Sequence, residues 1–207
     1  LTMLHNDICG VILAGGKSSR YGRNKALVEI DGVPLIERAI NVLKDLFQRV
    51  ILITNTPAEF VDFNLPMEED IIKGLGPLGG IYTALHSIPE EYGFFVACDM
   101  PFLNPQLITH MMDIREQYDV VAPKIGWKIE ALHTLYRKTC LGEIEKMIRN
   151  HEYQVIRFFD RVSVRYMDES EVRQFDPSLS SFFNINRPED LKEKQPNSLK
   201  GGLLSHD

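Results

Sequence analysis

Three short runs in this chain are apolar from end to end, and each stops at residues that turn the chain. Residues 8–14 read ICGVILA and end at Gly15-Gly16. Residues 50–53 read VILI, with Asn55, Thr56 and Pro57 closing them, and residues 94–98 read FFVAC before Asp99-Met100-Pro101. A strand with one wet face alternates apolar and polar residues. A run that is apolar throughout is buried on both faces, as in a parallel sheet covered by helices.

Helical periods lie between these runs. Residues 33–47 carry apolar side chains at 35, 36, 39, 40, 43, 46 and 47, with Pro34 expected in the first turn. Residues 78–88 follow a glycine-rich turn and predict a second helix. Asn104 as cap and Pro105 at the first helical position start a third, expected to reach about residue 118. Residues 58–75 predict a short helix, a short strand and a loop. Further on, 119–122, 131–136 and 162–166 read as extended, and 139–150, 153–159 and a last segment from Pro188 as helical. Strands alternating with helices predict an α/β fold with a mainly parallel sheet, one domain over residues 1–207, and a loose tail over 195–207. Ligands of such sheets bind beyond the carboxyl ends of the strands. The loops after Ala14, Ile53 and Cys98 are therefore where function is expected.

Composition narrows the ligand. The 207 residues carry a formal net charge of −6, which argues against a nucleic-acid-coating surface. A local basic loop can still hold a small anion within a negative envelope. Cys9, Cys98 and Cys140 are far apart and form no C-x-x-C pair, which predicts reduced, mostly buried thiols of a cytoplasmic protein. The six histidines form no zinc-binding spacing. No apolar stretch approaches the length of a membrane span, and residues 1–7 lack the pattern of a secretory leader.

The loop LAGGKSSRYGRNKAL, residues 13–27, holds three glycines, four basic residues and no acid. It follows a strand, where free backbone N–H groups favour anions. It is an anion cradle or else a solvated basic turn. It is not a P-loop, because the fifth residue beyond Gly15 is Arg20 and beyond Gly16 is Tyr21. Gly74, Gly76 and Gly79 match G-x-G-x-x-G literally but stand outside the first strand–helix unit and enclose Pro77, a weak dinucleotide signal. Asp99 at a strand's carboxyl end is either a ligand for a hard cation held against phosphates or a turn aspartate before Pro101. In FNINRPEDL, residues 183–191, Asn184 and Asn186 share a face if the stretch is extended; Asn186 also suits a cap before a Pro-led helix.

Together these pieces resemble the nucleotidyltransferases that activate small phosphorylated molecules, whose pattern is L-A-[AG]-G-x-S-x-R-x-G-x-x-K. Leu13, Ala14, Gly15, Gly16, Ser18, Arg20, Gly22 and Lys25 fill every fixed position. More narrowly, the chain resembles the molybdenum cofactor guanylyltransferase family. Gly15 stands where cytidylyl-transferring relatives usually carry Ala. GPLGGIYTAL at 76–85, CDMPFL at 98–103 and NINRPEDL at 184–191 resemble that family's loop, metal aspartate and closing motif. The likeness runs in order over residues 8–192. One departure stands at 131–136, where the family's P-L-[FH]-A-L-Y reads ALHTLY, losing the proline and gaining a hydroxyl.

The resemblance implies a Rossmann-like three-layer αβα domain of the nucleotide-diphospho-sugar transferase type. It implies transfer of GMP from GTP to the terminal phosphate of molybdopterin, with release of pyrophosphate. Leu13, Ala14, Gly15 and Gly16 would meet guanine and ribose, and Arg20 and Lys25 would hold the triphosphate. Asp70 and the loop of Gly76, Pro77, Leu78, Gly79 and Gly80 would select guanine, with Asn55 or Thr54 assisting. Asp99 with Asn186 would ligate Mg2+. His133 and Asn184 would face the acceptor, His133 being equally readable as structural. Because the attacking phosphate is already anionic, no general base is expected. Transient contacts with other cofactor-assembly proteins are expected, and none with nucleic acid or membrane. Cytidylyl or uridylyl transfer, and a non-catalytic GTP-binding role, are the alternatives.

Overall fold

The computed structural model describes residues 6–15, 24–185 and 190. The first apolar run forms β1 (Ile8–Leu13), buried at every position. After it come the two short strands β2 (Glu29–Ile30) and β3 (Val33–Pro34), paired antiparallel. Helix α1 (Leu35–Leu46) then leads to β4 (Val50–Ile53) and the short β5 (Met67–Glu68). Helix α2 (Pro77–Ser87), β6 (Tyr92–Ala97) and α3 (Pro105–Asp113) follow. The second half holds β7 (Val120–Ile125), β8 (Lys128–Ile129), β9 (His133–Arg137), α4 (Leu141–Arg149), α5 (Val155–Phe158), β10 (Val164–Asp168) and α6 (Glu169–Val172).

The main sheet has the order β10-β7-β9-β6-β1-β4-β5, with β8 paired to β7. Along that order every pair is parallel except the two made by β9. Successive residues of β1 point to opposite faces. Ile8 and Ile12 pack with Ile36, Ile40 and Leu43 of α1 and Leu107 and Met111 of α3. Cys9, Val11 and Leu13 pack with Leu78, Ile81 and Leu85 of α2 and Ile144 and Met147 of α4. This two-sided burial is the reason the strands read as unbroken apolar runs, and it yields the expected three layers.

Several boundaries differ from the sequence reading by a residue or two, as at β6, β9, α4, α5 and β10, and two differences have a visible local cause. Helix α1 starts at Leu35 rather than residue 33, because Asp31 and Gly32 both take positive φ (51° and 76°). That pair makes a two-residue turn of the type that closes hairpins, so Val33 and Pro34 pair back onto Glu29 and Ile30. Helix α3 ends at Asp113 rather than near 118. Arg115 Nη1 donates to the Met112 carbonyl at 2.6 Å, and Gln117 at φ 72° redirects the chain into β7. Its start is as expected: Asn104 Oδ1 accepts from Leu107 N–H at 3.0 Å, and Pro105 opens the helix, a cap worth about 1 kcal/mol. The expected tail over 195–207 and the body of the helix from Pro188 lie outside the described residues.

Candidate active site at the carboxyl edge of the sheet

The strands of the parallel half are joined to one another one residue past their ladders. Ala14 N–H donates to the Ile53 carbonyl at 2.9 Å, Cys98 N–H to the Leu13 carbonyl at 3.1 Å, and Thr54 N–H to the Glu68 carbonyl at 3.0 Å. The loops after β1, β4, β5 and β6 therefore leave the sheet side by side. The residues that follow, Gly15, Asn55, Asp70 and Asp99, come from one edge.

Asp70 is held in place. Its N–H donates to Asn55 Oδ1 at 3.2 Å, and Asn55 Nδ2 donates to Asp70 Oδ2 at 2.7 Å. The next residue, Ile71, donates its N–H to the buried hydroxyl of Thr83 on α2 at 2.9 Å. The same helix is preceded by Gly76 at its N-cap, whose φ of 60° and ψ of −146° suit glycine and little else. One turn further on, Gly80 lies against β1: a Cβ there would meet Leu13 Cδ2 at 3.0 Å. Gly80 therefore lets the start of α2, with Pro77, Leu78 and Gly79, sit against the end of β1. Helix N-termini with free N–H groups attract anions.

Lys25 opens a short 3-10 turn, Lys25–Leu27, capped by Asn24, whose Oδ1 accepts from Ala26 N–H at 3.1 Å. Asn24 Nδ2 also donates to Glu59 Oε2 at 2.7 Å, tying this turn to the loop after β4. Lys25 faces Asp99. Burial raises the Asp99 carboxyl above its usual range, and attraction to the Lys25 ammonium opposes that rise. Asp99 also anchors the chain's closing segment, its carbonyl accepting from Ile185 N–H at 3.0 Å. Asn184 thus lies one residue from a direct contact with Asp99. Next to it, burial pushes the Cys98 thiol up to about 12, so it supplies no thiolate at neutral pH. All three cysteines are free thiols, two of them buried.

The predicted site residues Leu13, Ala14, Gly15, Lys25, Asn55, Asp70, Gly76 to Gly80, Asp99 and Asn184 thus belong to one edge. Gly16, Arg20 and Asn186 lie outside the described residues. His133 does not join the edge. It sits fully buried on β9 with its ring edge-on between Phe94 (5.2 Å) and Phe182 (5.1 Å). Burial lowers its pKa to about 3, against a pull upward from Asp176, and neither ring nitrogen has a hydrogen-bond partner among the described residues. The expectation that it touches the acceptor is replaced by a core role. Two supporting residues carried no assignment from sequence. Asn24 had a legible signal, a capping residue type directly before Lys25; Thr83 had none, being a hydroxyl inside an apolar helix.

Fold and edge together place the protein among the nucleotidyltransferases of the nucleotide-diphospho-sugar transferase fold. Residues 10–165 match the MobA-like NTP transferase domain, and the chain belongs to that family. It is 40% identical over 182 residues to a protein of Pelotomaculum thermopropionicum named "probable molybdenum cofactor guanylyltransferase", covering 88% of this chain and 89% of the relative. It is 35% identical over 200 residues to the molybdenum cofactor guanylyltransferase of Desulfosudis oleivorans, covering 96% and 98%. Among solved structures it is similar to molybdopterin-guanine dinucleotide biosynthesis protein A of Archaeoglobus fulgidus. That likeness has a TM-score of 0.79 and 29% identity, and covers 93% of this chain and 99% of the other.

Proposed function

We infer that the protein transfers the GMP unit of GTP to the terminal phosphate of molybdopterin, releasing pyrophosphate and giving the guanine dinucleotide form of the cofactor. An oxygen of the acceptor phosphate attacks the α-phosphorus, the bond from that phosphorus to the β-phosphate oxygen breaks, and pyrophosphate leaves with the electron pair. The attacking oxygen already carries charge, so no side chain has to remove a proton. The difficulty is bringing two anions together, and the remedy is placement and neutralisation of charge.

The observation that carries the reading is that the Lys25 ammonium acts on the Asp99 carboxyl at the same carboxyl edge of the sheet that carries the Asn55–Asp70 pair. Lys25, with Arg20, would neutralise the triphosphate. Asp70 would accept from N1–H and the 2-amino group of guanine, a pair of donors that adenine and cytosine lack on that edge. Leu13, Ala14, Gly15 and Gly16 would bring backbone close to base and ribose, and Asn184 would face the acceptor.

The donors present also suit Mg2+. Asp99 is a half-buried carboxylate whose charge burial disfavours, so a cation beside it relieves that cost. Among the described residues no three His, Cys, Asp or Glu side chains cluster as a cage. Mg2+ needs no cage, since it is commonly held by one or two carboxylates plus substrate phosphates. Asp99, with Asn186, would hold it, and when bound it would offset phosphate charge.

Unpaired thiols fit a cytoplasmic setting, and no described helix is long and apolar enough to cross a membrane. Thermal shift with GTP, ATP, CTP and UTP in the presence of Mg2+ tests the nucleotide assignment, because a ligand that prefers the folded state raises its melting temperature. GTP is expected to give the largest rise; an equal or larger rise with CTP would replace guanylyl by cytidylyl transfer.

A further inference from the structure

The hairpin of β7 and β8 closes on two residues, Gly126 and Trp127. Gly126 takes φ 57°, and Trp127 is not among the residues at positive φ. That is the pattern of a tight hairpin turn with glycine at its first central position, and it fixes Trp127 at the tip. Trp127 is the chain's single tryptophan and is 97% exposed. A tryptophan ordinarily buries most of its large apolar surface; this one meets almost nothing of its own protein. The cations beside it are engaged elsewhere: Lys128 pairs with Glu130 at 2.8 Å, and the Lys124 ammonium lies over the Tyr166 ring at 5.6 Å. What the tip offers is a bare aromatic face.

Its place relative to the active edge follows from register. Val121 of β7 and Phe94 of β6 both pair with Leu135 of β9. Strand β6 ends at Ala97 and β7 at Ile125, so the turn that holds Asp99 and the hairpin tip leave the sheet on the same, carboxyl side. They are two strand spacings apart, about 10 Å. Lys124 pairs with Asp168 of β10 on one flank and with Ile129 of β8 on the other. The returning strand β8 therefore lies on the flank facing β9 and β6, toward Asp99.

We propose that Trp127 is the stacking contact for the pyrimidinone ring of the acceptor's pterin. The inference rests on the reading of molybdopterin as acceptor. With the terminal phosphate at Lys25 and Asp99, the fused rings and their methylene link extend across the strand spacing toward the hairpin. A flat ring system at one end and a phosphate at the other match an aromatic face and a charged centre separated in the same way. His133, buried in the sheet, leaves that task to a residue above the strand ends.

The test compares the wild-type enzyme with Trp127→Ala and Trp127→Phe, using molybdopterin under anaerobic conditions and GTP as substrates. Trp127→Ala raises KM for molybdopterin about tenfold, in line with the worth of one ring stack, and leaves KM for GTP and the melting temperature unchanged. Trp127→Phe restores most of the loss. In the wild type, emission from the single tryptophan is quenched by molybdopterin and unaffected by GTP alone. A Trp127→Ala enzyme with wild-type KM for molybdopterin overturns the inference while leaving the proposed reaction standing, and points to a protein partner for the tip. A wild-type enzyme that binds GTP yet forms no dinucleotide removes the proposed reaction and the inference with it.

Discussion

Asn55 and Asp70, fifteen positions apart, clasp each other at the ends of β4 and β5 through hydrogen bonds of 2.7 and 3.2 Å. The clasp occupies one carboxylate oxygen on one side and sets the plane of the group. An ionised carboxylate accepts about four hydrogen bonds, so room remains for two from guanine. Asp70→Asn turns half of this acceptor into a donor. The preference for GTP over ATP, read as the ratio of kcat/KM, is expected to fall by about 10²-fold, the worth of one or two charge-assisted hydrogen bonds. Asn55→Ala is expected to act in the same direction and less strongly, because it loosens the carboxylate without removing it.

Lys25 answers to a different readout. In the proposed reaction it neutralises phosphate rather than reading the base, so Lys25→Ala should weaken every nucleotide alike. We expect kcat/KM for GTP to drop by about 10²- to 10³-fold, by analogy with the loss of a single oxyanion donor. The ratio between GTP and ATP should stay unchanged. A loss confined to GTP would reassign Lys25 to the base.

Gly80→Ala sets two effects against each other. Alanine favours the helical backbone by about 1 kcal/mol over glycine, yet its Cβ would stand 3.0 Å from Leu13 Cδ2. Overpacking of that kind costs about 1–3 kcal/mol, and Leu13 ends β1 where guanosine would bind. The expected outcome is a melting temperature near or somewhat below wild type with a clear rise in KM for GTP. An unchanged KM would mean that Leu13 yields without disturbing the nucleotide.

His133 makes stability depend on pH. Its folded pKa is lowered to about 3 by burial, while in the unfolded chain it titrates near 6.5. Between those values the unfolded state binds the extra proton, so stability contributed by the neutral ring is present above pH 6.5 and is lost as pH falls. The slope is about 1.4 kcal/mol per pH unit, hence about 2 kcal/mol between pH 6.5 and 5 from this residue. Denaturant midpoints at pH 7.5 and 5 should separate less in His133→Leu than in the wild type by that amount. Equal separations would show that His133 is protonated in the folded protein.

The parallel sheet was readable because burial on both faces leaves unbroken apolar runs, as at Ile8–Leu13 and Val50–Ile53. The cap of α3 was readable because Asn104-Pro105 is a local signal that needs no tertiary partner. The β2–β3 hairpin was missed although Asp31-Gly32 marks it: the helical period extends back through Val33 and masks the turn. For His133 the sequence left acceptor contact and a core role open, because strand alternation does not say which side of a sheet lies under other elements; burial selects the core role. Phe182, from a segment with no strong pattern, closes over it. The same segment is tied down by Asp176, which accepts from Ser181 N–H at 2.8 Å and Ser180 N–H at 3.1 Å. Burial raises that carboxyl, and these hydrogen bonds outweigh it and hold it below the usual range. Such a loop is built from contacts distant in sequence: Ser181 Oγ accepts from Asn104 N–H, 77 positions away.

The central claim is phosphoryl chemistry at the edge shared by Lys25 and Asp99. The direct measurement follows GTP labelled at its α-phosphorus in the presence of molybdopterin and Mg2+, for the wild type and Asp99→Ala. The account predicts label in the guanine dinucleotide with one pyrophosphate released per transfer, and no detectable transfer by Asp99→Ala. Transfer by Asp99→Ala at a near wild-type rate, or wild-type protein that binds GTP and releases no pyrophosphate, would contradict it.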